Sequence, residues 1–346
     1  MKHRSAGPGL RRRRLLATAA CGPWLHSTSA AAAAPAAPVA PVAPVAPAVP
    51  AVPAVVEVEA GVYMVPGLAG APGPANGGRV GNAGFIVGRS GVMAVDTGTS
   101  HRHGQALLAA IAQVSALPVR LALVTHARQE FLFGASAFQA RGIPVHMQRQ
   151  AAALMAARCE RCLKTLRDEL GDEAMRDTVV FKPDVLFDDT QVVETLGRPV
   201  LVQHHGHASG AGDSTAFDVR SGTLFAGGLL ESQRIPDIQD GDIDAWRQAL
   251  GGLRSLRIHT IVPGHGPAAD ADLIRNNDLY LAQLQRRCAE LLQQGAALSE
   301  VPDAAALPAF SRWDQYDTVH RRNAAIMFLR LERRMLLDDN REGAPR

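Results

Sequence analysis

The stretch "VRLALVTH", residues 119 to 126, constrains this chain more than any other. It is a nearly continuous apolar strand, and a strand of that kind is stable only when both of its faces are covered. A sheet with one wet face is therefore excluded, and helices or a second sheet must lie on either side. The flanking sequence supplies them. "QALLAAIAQV" before it has helical spacing, and "GFIVGRSGVMAVDTG" reads as two strands joined by a hairpin turn at "RSG". After it come a short helix in "GASAFQARG", a strand in "PVHM" and a longer helix over residues 150 to 170. Further strands are predicted in "TVVF", "TQVVETL", "VLVQHHGH", "STAFDV" and "TLFAGG". The segment "DIDAWRQALGGLRSL" is a helix with an aspartate at its start, and "HTIVPGHG" is a strand running into a glycine turn. Hairpins alternating with crossover helices predict an α/β molecule of two sheets between helical layers.

The ends of the chain read differently from this body. Residues 1 to 30 carry "RRRR", an apolar stretch and small residues suited to a signal peptidase, so export to the periplasm is expected. The route is twin-arginine or ordinary secretory; a lipid anchor on Cys21 is the less favoured variant. Residues 31 to 54 place proline at every third position, which gives either an extended spacer or low-complexity drift. The main domain is expected over 55 to 270. A helical extension over 271 to 346, with apolar spacing in "DLYLAQLQRRCAELL", is read as packed onto it. Six basic residues precede the first acidic one, Glu57; without them a net charge of +3 becomes −3 for the body. Binding of nucleic acid or an anionic membrane is thereby excluded as a general property, and no later stretch is long and apolar enough to span a bilayer.

Three motifs invite chemistry and lose weight on inspection. "CERC", Cys159 to Cys162, has redox or zinc spacing, but it sits within a helical run with no second pair. It is read as an incidental pair, with a local disulfide as the alternative. "GLAGAPGPANGG" lacks the strand-to-helix context of a phosphate cradle and reads as a mobile loop at a pocket mouth. No Gly-x-Ser-x-Gly turn exists to present a nucleophilic serine.

Histidines at strand ends are more telling as a set. His126 in "VTHAR", His207 in "HHGHASGAG" and His265 in "VPGHG" lie in turns that a sheet can bring to one edge. His101, His103, His146, His204, His205, His259 and His320 are read as structural or surface residues. The order of "FIVGRSGVMAVDTG", "VTHARQEFLFGASAF", "GHASGA", "LFAGG" and "VPGHG" resembles the metallo-β-lactamase superfamily over residues 55 to about 270. "LMAARCERCLKTLRDEL" and "FSRWDQYDTVHRRNAAIMFLRLE" further resemble the quinoprotein relay system zinc metallohydrolases, exported proteins associated with quinone-cofactor dehydrogenases.

The resemblance implies a four-layer αβ/βα sandwich of the metallo-β-lactamase type with a helical C-terminal extension. It also implies two zinc ions holding a hydroxide for hydrolysis, and a small-molecule substrate. Carried over residue by residue, the first metal site keeps His126 and His207 but has Arg128 for its other histidine. The second keeps His265, with Glu130 for aspartate and Phe131 for histidine, and the bridging aspartate is Gly228. Phenylalanine has no lone pair, glycine has no side chain, and a guanidinium stays protonated. At ~4 Å and an effective dielectric of 20, Arg128 would repel each unit of metal charge by roughly 4 kcal/mol.

Two outcomes remain open. One zinc at most is held by His126, His207 and His265, with Glu130 as fourth ligand or general base, in a hydrolase-like protein linked to a periplasmic quinoprotein dehydrogenase system. In the other, no metal is bound, Arg128 pairs with Glu130 in the metal's stead, and an inactive protein keeps the cleft for a ligand or partner. Asp96 and Asp213 are candidates for supporting the loops.

Overall fold

A computed structural model describes residues 52–342, with side chains to 337. The readings of the export segment, of Cys21 and of nearly all the proline-rich spacer lie outside the described residues.

The first half of the chain forms β1 (Val56–Glu59), β2 (Val62–Val65), β3 (Ala83–Val87), β4 (Val92–Val95), α1 (His101–Val114), β5 (Val119–Val124), α2 (Gln129–Leu132), α3 (Ala135–Gln139), β6 (Val145–Gln148), α4 (Arg149–Leu170) and β7 (Val185–Phe187). The second forms β8 (Gln191–Val193), β9 (Val200–His204), β10 (Ser214–Asp218), β11 (Thr223–Phe225), α5 (Ile243–Leu253), β12 (Thr260–Val262), α6 (Asp272–Gln293), α7 (Val301–Ala304) and α8 (Arg321–Glu342). One sheet runs in the order β1 to β7, antiparallel through β4 and parallel from β4 to β7. The other has the order β12-β11-β10-β9-β8, antiparallel except for the β11–β12 pair.

Three apolar layers account for this arrangement. Between the sheets, Met64, Ile86, Leu121 and Leu123 meet Val202, Ala216, Phe225 and Val262. The opposite face of the first sheet is covered by α1, α3 and α4 through Leu107, Phe138 and Met155. The opposite face of the second is covered by α5, α6 and α8 through Trp246, Tyr280, Leu284 and Phe328. The result is the expected four-layer α/β sandwich with helices at its C-terminal end. Strand β5 lies between β4 and β6 with Leu121 and Leu123 on one face and Ala122 and Val124 on the other, all buried. Its double burial is what the apolar run demanded.

One predicted strand fails. "TVVF", residues 178 to 181, is irregular, and the edge strand is β7 instead. Thr178 is occupied elsewhere: its hydroxyl accepts from His101 N at 3.0 Å at the start of α1, and its carbonyl accepts from Arg167. The two halves are also tied by Arg198, buried in an ion pair within the second. Arg198 meets both carboxylate oxygens of Asp218 at 2.7 and 2.6 Å and donates to Ala60 and Val87 carbonyls. No helix among the described residues is long and apolar enough to cross a membrane.

Candidate functional site

The turn after β5 is shaped by Asp96. This residue ends β4's side of the sheet with a left-handed backbone, φ 57°, a conformation costly for a residue with a Cβ. Its carboxylate compensates by accepting from both Thr125 N and Thr125 Oγ1 at 2.9 Å. Thr125 Oγ1 in turn lies 2.7 Å from His126 Nδ1, so the aspartate fixes the imidazole through the hydroxyl. With Asp96 ionised, the single hydroxyl proton goes to the carboxylate, Nδ1 must donate, and Nε2 keeps its lone pair. That Nε2 is buried without a hydrogen-bond partner. Burial, then the charge of Arg128, push the His126 pKa down to about 3, and the ring stays neutral. Asp96 itself is pushed up to about 7 by burial, against the Thr125 hydrogen bonds.

Phe131, from α2, packs against both buried imidazoles. Its ring centroid is 4.5 Å from that of His126 and 5.0 Å from that of His265, the latter edge-on. Gly81 makes room for it, because a Cβ there would lie 2.6 Å from the Phe131 ring. The place implied for a histidine ligand is thus filled by a packed aromatic contact.

His265 follows β12 in a turn secured from across the sheet by Asn82, whose amide donates to the carbonyls of Pro263 at 2.9 Å and Gly266 at 2.8 Å. Its Nδ1 donates to Glu231 at 2.9 Å, and its Nε2 is 3.6 Å from Glu130. Burial would discharge this ring; the Glu231 charge and the Glu130 contact override it, and the His265 pKa is raised. Burial acts on Glu130 in the opposite sense to its cationic neighbours, and His265 with Arg128 hold its pKa down to about 2. His265 lies between the partly exposed Glu130 and the buried Glu231, in a carboxylate, imidazole, carboxylate row. The C-terminal helices contribute, because Asn277 on α6 accepts from Glu231 N and donates to Glu231 O.

Arg128 does not bond to Glu130. Its Nη2 donates to the Asp237 carbonyl at 2.7 Å, and its charge is sustained against burial by Asp237, Glu231, Glu130 and Asp213 in that order. The expected direct pair is replaced by a guanidinium lodged among four carboxylates. Gly228 lies in the one-turn 3-10 helix Gly227–Leu229, and the space beside it is taken. A Cβ there would lie 3.0 Å from His126 Cδ2 and nearer still to Ser209 Oγ.

His207 does not join the other two. It is exposed, and its Nε2 donates to the Asp240 carbonyl at 2.6 Å. Its loop is nevertheless clamped as the first one is: the Asp213 carboxylate accepts from Ser209 N and from Gly210 N at 3.0 Å. Burial, against the Ser209 and Gly210 groups, raises Asp213 to about 6. Among the described residues no group of three or more His, Cys, Asp and Glu side chains is arranged to hold a metal ion.

Two openings flank the cluster. One of about 550 Å³ lies beside His265 under Gly67, Leu68 and Ala69, with Arg312 at its rim. The glycine-rich loop above it is knitted by Asn76, which accepts from Gly73 N and Gly78 N and donates to Ala71 O. The other, of about 790 Å³, lies between α4 and Gln239–Asp240.

Sequence reading missed Glu231, Asn82, Asn277 and the hydroxyl of Thr125. Glu231 had a signal: a lone acid directly after the apolar "GGLL" is a buried charge in search of a partner. The two asparagines had none, since their partners lie far away in sequence.

The family model of the metallo-beta-lactamase superfamily matches residues 76–265, over half of the chain. No curated protein matches. Among solved structures, a metallo-beta-lactamase from Pontibacter korlensis is 21% identical with a TM-score of 0.55, covering 66% of this chain and 98% of its own. The DIM-1 metallo-beta-lactamase exposed to ceftazidime is 16% identical at 0.53, covering 68% and 98%, and TMB-1 is 16% identical at 0.52, covering 66% and 97%. At these identities the likeness is one of fold; the motif-bearing match to the family model goes further. The chain belongs to the metallo-beta-lactamase superfamily.

Proposed function

We propose that this hydrolase-like chain binds a small molecule or a protein partner in the cleft where its relatives carry out metal chemistry, and that it has given up the dinuclear centre. The observation that carries this reading is the buried Phe131 ring packed against both His126 and His265, at a position where the resemblance implies a histidine ligand. Three further features support it: the filled space at Gly228, the outward hydrogen bond of His207, and a permanent cation at Arg128. This donor set does not fit two zinc ions. In their place the cleft offers a fixed charge pattern, the Arg128 guanidinium and His265 imidazolium against Glu130 and Glu231, suited to holding a polar ligand without further reorganisation.

A second reading has its own observation. Nε2 of both His126 and His265 is buried without a hydrogen-bond partner, as expected of donors awaiting a single ion with Glu130 beside them. Zinc content of protein purified without chelator separates the two. The binding reading expects no stoichiometric zinc and no rise in melting temperature on adding it. One tightly held zinc, lost in both His126→Ala and His265→Ala, would establish the mononuclear site instead.

Export to the periplasm and association with a quinoprotein dehydrogenase system belong to the same proposal. They rest on the character of residues 1 to 30 and on the resemblance of "LMAARCERCLKTLRDEL" and the C-terminal helices to the relay group. Fractionation of cells expressing the full chain, with and without the "RRRR" block, tests the first of these.

A further inference from the structure

The pair Cys159 and Cys162 is unused by the cluster around Phe131 and lines the opening between α4 and Gln239–Asp240 that flanks it. The two residues stand one turn apart in the middle of α4 with their sulfurs 3.3 Å from each other, and both are free thiols. They differ in access: Cys159 is 1% exposed, while Cys162 is partly open. Both line the opening of about 790 Å³, whose other walls include Ala127, Gln129 and Asp240. Arg158, one turn before Cys162, crosses this opening to pair with Asp240. Such an arrangement separates an attacking thiol from a resolving one.

We propose that Cys162 and Cys159 form a thiol–disulfide exchange site that reduces a low-molecular-weight disulfide entering the cleft between α4 and residues 239–240. The Cys162 thiolate attacks one sulfur of the external disulfide, forming a mixed disulfide and expelling the other half as a thiolate. The thiolate expelled first takes the proton of Cys159, whose sulfur attacks Cys162 Sγ and releases the second half as a thiolate that solvent protonates. One external disulfide becomes two thiols, and the protein pair becomes one disulfide. The sulfurs need only close from 3.3 Å to about 2.05 Å.

The charges around the pair support the division of labour. The hydrogen bond shared with Cys159 lowers the Cys162 pKa to about 7, against burial and Glu130 and with help from Arg158, while the same bond and burial raise Cys159. The charged groups facing Cys162 are Arg158, Glu160 and Arg161 on α4, Glu130 on α2 and Asp240 across the opening. The pair reacts in this way whether or not the Phe131 cluster holds a metal.

The test uses the full reduced chain with oxidised glutathione, followed by trypsin cleavage at Arg161 and peptide mass mapping. The wild type is expected to end with the Cys159 and Cys162 peptides joined by a disulfide. Cys159→Ser should trap glutathione on Cys162, and Cys162→Ser should leave Cys159 unmodified. Iodoacetamide labelling of Cys162 in the wild type should be half-maximal near pH 7, where an ordinary thiol gives about 8.5. Unmodified cysteines throughout, or glutathione on Cys162 that Cys159 never displaces, would overturn the proposal.

Discussion

Two turns, one after β5 and one after β9, carry their histidines in opposite ways. The turn after β5 carries His126 inward, dry and hydrogen-bonded through Thr125 to Asp96; the turn after β9 carries His207 outward to the Asp240 carbonyl. Yet the aspartate clamp of each turn is intact, Asp96 holding Thr125 and Asp213 holding Ser209 and Gly210. The clamps that shape the two turns are alike, while the histidines that the turns carry are placed differently. Hydrogen bonds that shape a loop and side chains that act from it are separable properties, and only the first set remains complete.

The contrast can be broken first at Phe131. Phe131→Ala should cost about 3–5 kcal/mol by removing a fully buried ring that packs against two imidazoles; denaturant unfolding would read this, and a cost near zero would mean the ring is not tightly packed. Asp96→Ala comes next, at about 1–3 kcal/mol, because two Thr125 donors lose a buried acceptor. Gly228→Asp restores the family's residue without restoring its site. It should destabilise by about 1–3 kcal/mol, since the new side chain must displace Ser209 and the His126 ring, and it should raise no zinc affinity in a titration.

Asp213 sharpens the comparison through pH. Its folded pKa, about 6, lies above its unfolded value of about 3.9, so the folded state binds more protons between them. Its contribution therefore lowers stability as pH rises through that window and is level above it. Asp213→Asn, which keeps an acceptor for the two N–H groups, should become more stable relative to wild type between pH 4 and 6, as followed by melting temperature. The smallest effect belongs to His207→Ala, within about 0.5 kcal/mol for an exposed side chain.

The fold was largely legible because its signals are local. The apolar run of β5, the "RSG" hairpin and the aspartate before α5 each carry their own instruction, and Asp242 does accept from Ala245 N as an N-cap. "TVVF" misled because Val180 and Phe181 serve packing of the layer that includes α4 while Thr178 is drawn to the start of α1. In the site, the exchanges at Arg128, Phe131 and Gly228 were visible as letters, but not their consequences. That Phe131 would pack against both His126 and His265, that Arg128 would bond Asp237 and not Glu130, and that His207 would bond the Asp240 carbonyl all depend on neighbours far along the chain.

Side-chain nitrogen NMR of the histidines between pH 5 and 8, with and without added zinc, tests the central claim most directly. With the Phe131 ring packed against both, His126 should stay neutral across the range and His265 should keep its proton above the usual histidine midpoint, and neither should respond to zinc. Joint titration of the two near pH 6.5, or a shared shift on adding one equivalent of zinc, would contradict it.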